Sequence, residues 1–195
     1  MNEQEILNQN LINGDFERKE VNFLIQNGLP FTIKVKEKQV KKKYLFGLIK
    51  RYQLKEVERK FIIKEPTLAV LDRLSKEWIE MSIDESLLQS ENVLNVSKKY
   101  VMRNIERASR VIALAVLGED YFICHTVGNQ ISYKTNEKEL QDLTNLFKQY
   151  IKPSDLYTIY EAINITSNLA DFLTAIRLMS AERTTKPQRI AENEA

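Results

Sequence analysis

The sequence predicts an α+β protein with a mainly helical body and a small antiparallel β element near the N-terminus. Apolar and basic residues alternate over 31–36, and three consecutive β-formers occupy 61–63, as in short strands. From residue 66 onward, apolar residues recur every three or four positions, which is typical of amphipathic helices. We therefore predict an N-terminal helix and basic hairpin region over 1–64, a helical body over 65–182 and a polar flexible tail over 183–195.

In the first region, residues 3–12 form a short predicted helix that ends at Asn13-Gly14. Val21–Gln26 is compatible with a strand or with the last turns of a helix, and we favour the strand; the turn signal Asn27-Gly28 follows it. The next predicted strand, over 31–36, would turn its odd-numbered apolar residues inward and its lysines outward. A second strand is predicted over 60–64.

The connection between these strands, residues 37–56, has no clear period. We interpret it as a long hairpin arm with an apolar tip. The tip consists of Tyr44, Leu45, Phe46, Leu48 and Ile49. If these side chains are exposed, they suit binding to a partner protein, whereas the general tendency of apolar clusters to be buried favours folding back into the core.

Pro66 is predicted to occupy the first turn of a helix, where its missing N–H has no partner to lose. Residues 82–95 read as a loop with one helical turn over 84–88. A long helix is predicted over 97–117, stopped by Gly118. The apolar face of the first helix comprises Leu68, Leu71, Leu74, Trp78 and Met81. The buried stripe of the long helix comprises Val101, Ile105, Ala108, Ile112 and Ala115.

Further along, residues 121–125 read as either a short strand or a continued buried segment. Asn136 and Glu139 form a capping-box pattern that opens a helix, and Pro153 opens the next, which residues 164–168 are predicted to interrupt. The first of these helices would bury Leu140, Leu143, Phe147 and Tyr150. The second runs through Leu156, Ile159, Tyr160 and Ile163. A last helix would bury Leu169, Phe172, Ile176 and Met179. The charged tail is expected to be disordered unless a partner orders it.

The 195 residues, 43% of them apolar, suffice for one compact domain or two small ones. The N-terminus lacks the pattern of a signal peptide, and no apolar run approaches the length of a bilayer span. One cysteine excludes an internal disulfide and fits a reducing compartment. We therefore expect a cytoplasmic protein that does not associate with membranes.

Charge is distributed unevenly. Residues 31–64 hold twelve basic and three acidic side chains, a net charge of +9 on a chain whose total is +2. The basic patch consists of Lys34, Lys36, Lys38, Lys41, Lys42, Lys43, Lys50 and Arg51. With the aromatic residues among them, these cations could contact phosphates and stack on bases, although lysines also protect strand edges and no recognition-helix pattern accompanies them.

Signals for catalysis are weak. Cys124-His125 joins the only thiol to the only imidazole, but adjacent residues on a strand point to opposite faces, so we expect a buried thiol beside a surface imidazole. The five glycines are scattered singly, so no phosphate-binding loop is formed. We predict a non-enzymatic protein with no metal site and no cofactor.

Two segments, Phe61–Met81 and Ile176–Thr185, resemble tail assembly chaperone-type proteins of long-tailed phages and of prophages in the Bacteroides group. The shared features are a β-type segment that ends in a Lys-Glu-Pro-Thr-Leu turn into a helix, a helical body and a polar tail. The resemblance implies a non-enzymatic protein of the bacterial host cytoplasm that binds the helical tape-measure protein, keeps it soluble and helps tail-tube subunits assemble around it. It carries over no functional residue.

Binding a long amphipathic helix needs an apolar groove or an oligomeric surface, so a homo-oligomer is compatible with this reading. The alternative function is a nucleic-acid-binding accessory protein of a mobile element, acting through residues 34–51.

Overall fold

The computed structural model describes residues 23–44, 49–81, 83, 93–128 and 130–181. It confirms the α+β class, but β structure is not restricted to the N-terminal region, because a second hairpin lies between the helices. The strands are β1 (Leu29–Tyr44), β2 (Ile49–Ile63), β3 (Phe122–Val127) and β4 (Gln130–Thr135). The helices are α1 (Leu68–Glu80), α2 (Val93–Leu117), α3 (Glu137–Tyr150), α4 (Pro153–Ser167) and α5 (Leu169–Ala181).

Strands β1 and β2 form one long antiparallel ribbon that runs from the pair Leu29 and Ile63 to the pair Tyr44 and Ile49. The hairpin-arm interpretation of residues 37–56 is therefore confirmed, and both predicted strands extend into the arm. The register shifts between Val40 and Lys42 because Lys41 is an extra residue on β1. This ribbon is the largest β element in the described chain.

The base of the ribbon packs against the helical body. Ile33, Val35 and Ile63 are buried there. The rings of Phe31 and Phe61 lie within 5.9 and 5.0 Å of the Phe147 ring, centroid to centroid. Aromatic contacts at these distances stabilise the joint beyond the area they bury. The inward and outward faces predicted for residues 31–36 agree with this arrangement.

Residues 23–27, predicted as part of a strand, are helical. The Asn27 side chain donates to the Phe23 carbonyl oxygen at 2.8 Å, which closes the turn. Gly28 then adopts φ +73°, a left-handed conformation that ends helices and favours glycine. The Asn27-Gly28 signal therefore terminates a helix rather than joining two strands.

Helix α1 starts two residues later than predicted. Pro66 therefore precedes the helix instead of occupying its first turn. Thr67 is the N-cap, and its Oγ1 accepts from the Val70 N–H at 3.4 Å. The face that contacts the core centres on Val70, Leu71 and Leu74, whereas Leu68 is exposed because it precedes the first buried turn. Trp78 and Met81 pack against the core only in part.

Helix α2 begins at Val93, before the predicted start at 97, and ends as predicted at Gly118, which has φ +51°. Its buried residues begin at Ser109. The predicted stripe is thus right for Ile112 and Ala115 and wrong for Val101 and Ile105, which are 61% and 44% exposed. The described helices and ribbon base cover only the C-terminal half of α2.

The capping box that opens α3 is confirmed: the Glu139 N–H donates to Asn136 Oδ1 at 3.4 Å, and Asn136 Nδ2 donates to Glu139 Oε2 at 2.6 Å. Helix α4 starts at Pro153 as predicted, and the predicted interruption over 164–168 is confirmed only at its last residue, because the helix continues to Ser167. The break comes at Asn168, which is left-handed with φ 47° and ψ 41°.

Helix α5 contradicts its prediction most clearly. None of its residues is buried, so the stripe expected in the core is uncovered by the described chain. The predicted turn over 84–88, the helix over 3–12 and the tail over 183–195 lie outside the described residues.

Candidate functional site

An apolar groove lies between the N-terminal half of α2 and the corner that joins α3 to α4. It has a volume of about 320 Å³. The α2 wall carries Tyr100, Val101, Asn104, Ile105, Ala108 and Ile112. The opposite wall carries Phe147, Ile151, Pro153 and Leu156, with Lys148 and Lys152 beside them. We call this feature the α2 groove.

The groove exists because α2 continues past the core. Helix α3 packs along α2, and the turn at Ile151 and Lys152 sends α4 in a new direction. The missing N–H of Pro153 makes that residue suitable for the first position of α4. Val101 and Ile105 therefore face a concave space instead of another element of the described chain.

Charged and polar groups mark the edges of the groove. Lys148 Nζ lies 3.3 Å from Glu106 Oε2, an ion pair that links α3 to α2 at the rim. Asn104 Oδ1 is a buried acceptor without a hydrogen-bond partner in the part of the chain described. Such an atom has lost its hydration without compensation, which is uncommon in folded proteins.

Two arginines of α2 form an ion-pair network with glutamates of α1 and α3. Arg107 contacts Glu77 at 3.2 Å and Glu80 at 2.6 Å, and Arg110 contacts Glu77 at 3.4 Å and Glu137 at 3.4 Å. The Glu77 side chain is only 18% exposed. The two arginines thus tie α2 to α1 and α3, and networks of this kind hold geometry better than isolated pairs.

Helix α5 is apolar, and among the described residues none covers it enough to bury any of its side chains. Its Leu169, Phe172, Ile176 and Met179 recur at intervals of three and four residues, as the two apolar positions of a heptad do. We call these four residues the α5 seam. Each is at least 38% exposed, and the polar residues Asp171, Thr174 and Arg177 lie on the opposite side of the helix.

The predicted partner-binding tip lies at the end of the ribbon. Tyr44 and Ile49 form the last strand pair, and Leu45, Phe46 and Leu48 lie outside the described residues. The described residues do not test the exposure of this tip, so binding of a partner protein by the tip stays a prediction. In the basic patch, Lys34, Lys36 and Lys38 have exposed side chains, while Lys41, Lys42, Lys43, Lys50 and Arg51 are placed by strand register alone.

Cys124 and His125 lie on β3, where both are exposed. The prediction of a buried thiol was therefore wrong, because the β3–β4 hairpin packs only its first residues, around Tyr121 and Phe122, against the body. Within the described ranges, no three or more histidine, cysteine, aspartate or glutamate residues cluster as a metal site would require.

Tyr121 is the buried titratable group with a clear role. Burial, together with the hydrogen bond that its hydroxyl donates to Glu137 Oε1, raises the pKa of Tyr121 above its ordinary value. This hydrogen bond connects the segment after α2 to the first turn of α3. Because the Tyr121 hydroxyl stays protonated over the neutral pH range, the hydrogen bond stabilises this connection throughout that range.

Sequence reasoning missed the α2 groove and strand β4. The Gly128-Asn129 dipeptide between two β-rich runs was the available signal for the β3–β4 hairpin, and Gly128 indeed has φ +61°. No sequence signal identified the groove, because periodicity marks an apolar face without showing what covers it.

Comparison with known proteins found no match to a family model, to a curated protein or to a solved structure. None of the helices described is both long enough and apolar enough to cross a membrane. The function is therefore inferred from the surfaces above.

Proposed function

We propose that this protein is a non-enzymatic helix-binding protein whose α2 groove accepts an amphipathic helix of a partner protein. The observation that carries the proposal is the groove itself: none of the described residues covers its two apolar walls, and ion pairs tie α2 to α1 and to α3. Exposed contiguous apolar surface of this kind is a common mark of protein binding.

The dimensions of the groove suit a helix. Its α2 wall runs from Tyr100 to Ile112, a rise of about 18 Å at 1.5 Å per residue, or roughly three helical turns. A partner helix would place residues i, i+3 or i+4, and i+7 against Val101, Ile105 and Leu156. Lys152, exposed at the rim, favours a partner with an acidic residue beside its apolar stripe.

The phage resemblance supplies the identity of the partner. A tape-measure protein is a long helical chain whose apolar stripes must be shielded before the tail is built. On this proposal, the protein is a phage or prophage tail assembly chaperone that keeps the tape-measure protein soluble in the host cytoplasm while tail-tube subunits assemble. The resemblance and the groove are independent supports, since neither resembling segment lines the groove.

The test is co-expression with the large helical protein encoded next to this gene, followed by measurement of its soluble, co-purifying fraction. Val101→Glu places a charge on the groove wall at a 61% exposed position, so the fold tolerates it. Because the groove is desolvated on binding, this charge should reduce capture of the partner at least tenfold.

Met102→Glu is the matched control. Met102 is the next residue on α2, is 79% exposed and does not line the groove, so capture should stay within about twofold of the original chain. Equal losses for both variants, or none for either, would refute the groove. Phe46→Asp distinguishes the tip: if it alone abolishes capture, the partner binds the end of the ribbon instead.

A further inference from the structure

The described chain leaves two apolar surfaces open to solvent. One is the α2 groove, and the other is the α5 seam, whose four side chains are 38% to 62% exposed. Contiguous exposed apolar surface often marks a site of association. The groove lacks a helix and the seam lacks a covering surface, so each supplies what the other lacks.

The two surfaces match in length. The α5 seam runs from Leu169 to Met179, a rise of about 15 Å at roughly 1.5 Å per residue, and the α2 wall of the groove extends about 18 Å. The seam also has the spacing that suits a groove, since Leu169, Phe172 and Ile176 are residues i, i+3 and i+7. Helix α5 is therefore long enough to fill the groove.

The charges beside the two surfaces are complementary. Asp171 and Arg177 are the charged residues of α5, and at about 100° per residue each lies roughly 120° from the middle of the seam, one on either flank. Flanking side chains of a docked helix reach the rim of its groove. Lys152 is exposed at the rim of the α2 groove, so Asp171 has a cation to pair with there.

The geometry of the chain requires that the helix come from another molecule. None of the described residues that line the groove belongs to α5. Helix α4 starts at the groove and ends roughly 17 Å beyond Leu156, so α5 could enter the groove of its own chain only by folding back along α4. Antiparallel helices need a connection of about two to five residues, and Asn168 alone joins α4 to α5.

Pairing of two α5 helices with each other fits the seam less well. A coiled coil needs an apolar repeat sustained over about three to four heptads, and the seam, over residues 169–179, spans fewer than two. A groove covers a single helix from two sides, so a shorter seam is sufficient there.

From these observations we infer that α5 of one molecule docks in the α2 groove of a second copy, so that the protein assembles head to tail. This inference rests on the proposed function, because it uses the same groove as a site for an amphipathic helix. The 13 residues of α5 are fewer than the roughly 20–30 per side of a standard interface, so the association is weak and reversible. The partner helix and α5 compete for the groove, and the partner therefore dissociates the assembly.

The experiment is sedimentation velocity of the full chain from about 2 to 200 µM, over which the average mass should rise. Val101→Glu in the groove and Ile176→Glu in the seam should each weaken self-association at least tenfold, because each places a charge in the buried contact. Leu178→Glu is the matched control. Leu178 is 60% exposed and lies about 200° around α5 from Ile176, so self-association should stay within about twofold of the original chain.

Mixing the two variants tests the head-to-tail arrangement. The Val101→Glu chain retains its α5 and the Ile176→Glu chain retains its groove, so an equimolar mixture should form a dimer at concentrations where neither variant associates alone. Self-association that Val101→Glu leaves intact, or a mixture that stays monomeric, would overturn the inference. Circular dichroism checks that all variants are folded.

The outcomes also separate this inference from the proposed function. A chain that stays monomeric up to about 200 µM, yet loses capture of the co-expressed partner on Val101→Glu, would overturn the inference alone. A dimer in the mixture, without capture of that partner by the original chain, would support the inference and refute the partner proposed.

Discussion

Gly28 is the residue on which the base of the ribbon depends most directly. A Cβ atom there would lie 2.7 Å from Ile62 Cγ2 and 2.8 Å from the Ile63 carbonyl oxygen. The left-handed φ of +73° adds a second reason for glycine. The chain can therefore pass from the helical segment at 23–27 into β1 only with no side chain at this position.

We expect Gly28→Ala to lower the free energy of unfolding by about 2–4 kcal/mol, from backbone strain and the clash with β2 together. Urea denaturation measures the change. Gly128→Ala is the control, because Gly128 has φ +61° and open space around it, so it carries the strain without the clash. If both variants lose the same free energy of unfolding, the contact of the added methyl group with β2 does not contribute to the loss at Gly28.

Tyr121 makes stability depend on alkaline pH. The pKa of Tyr121 is raised in the folded protein. The stability that Tyr121 contributes is therefore complete below the pKa of an unfolded tyrosine, near 10, and is lost as pH rises through the pKa of the folded state. We expect Tyr121→Phe to lose about 1 kcal/mol at pH 8 with the hydrogen bond to Glu137, and to show a shallower decline of stability above pH 10.

Urea titrations at pH 8, 10 and 11 measure this difference. Tyr133→Phe removes a hydroxyl from a side chain that is 68% exposed, and should follow the original chain at every pH. A Tyr121→Phe slope as steep as that of the original chain would show that other groups cause the alkaline loss.

At the scale of elements, the joint between α4 and α5 rests on one left-handed asparagine. Asn168 ends α4, and its Nδ2 donates to Asp171 Oδ2 at 3.1 Å in the first turn of α5. Asparagine tolerates this conformation better than residues with larger or branched side chains. A short polar residue thus separates the two helices without an intervening loop.

We expect Asn168→Ala to lower the midpoint of thermal unfolding by about 2–4 °C, because alanine adopts the left-handed conformation at a cost of about 1 kcal/mol. Asn168→Gly relieves the backbone strain and should stay within about 2 °C of the original chain. If Asn168→Gly lowered the midpoint as much as Asn168→Ala, the loss of the contact with Asp171 would explain the effect and the left-handed conformation would not.

Local signals predicted the element boundaries well where they were strong. The Asn136 and Glu139 box, Gly118 and Pro153 each act within one helical turn, so they can be read without the rest of the chain. The hairpin arm was predicted, but the strand pairing of residues 38–44 with residues 49–54 could not be predicted in the same way. These residues lack alternation, and the ladder between the strands, which fixes their conformation, joins positions far apart in sequence.

At the scale of the whole molecule, the sequence predicted the α+β class and the charge asymmetry but not the distribution of apolar surface. The stripe on α2 continues from Ile112 back to Val101 with the same spacing, yet the core covers only one end of it. Helix packing decides that outcome, and periodicity carries no information about it. The candidate site was missed for this reason, whereas the basic patch was visible directly in composition.

The bare surface of α5 also sets its local stability. A helix of 13 residues is marginal in water without burial, and the described residues bury none of α5, so its backbone amides should exchange with solvent well before the core opens. Any molecule that covers the α5 seam must therefore supply the ordering free energy of this helix. That cost lowers the affinity of any such contact.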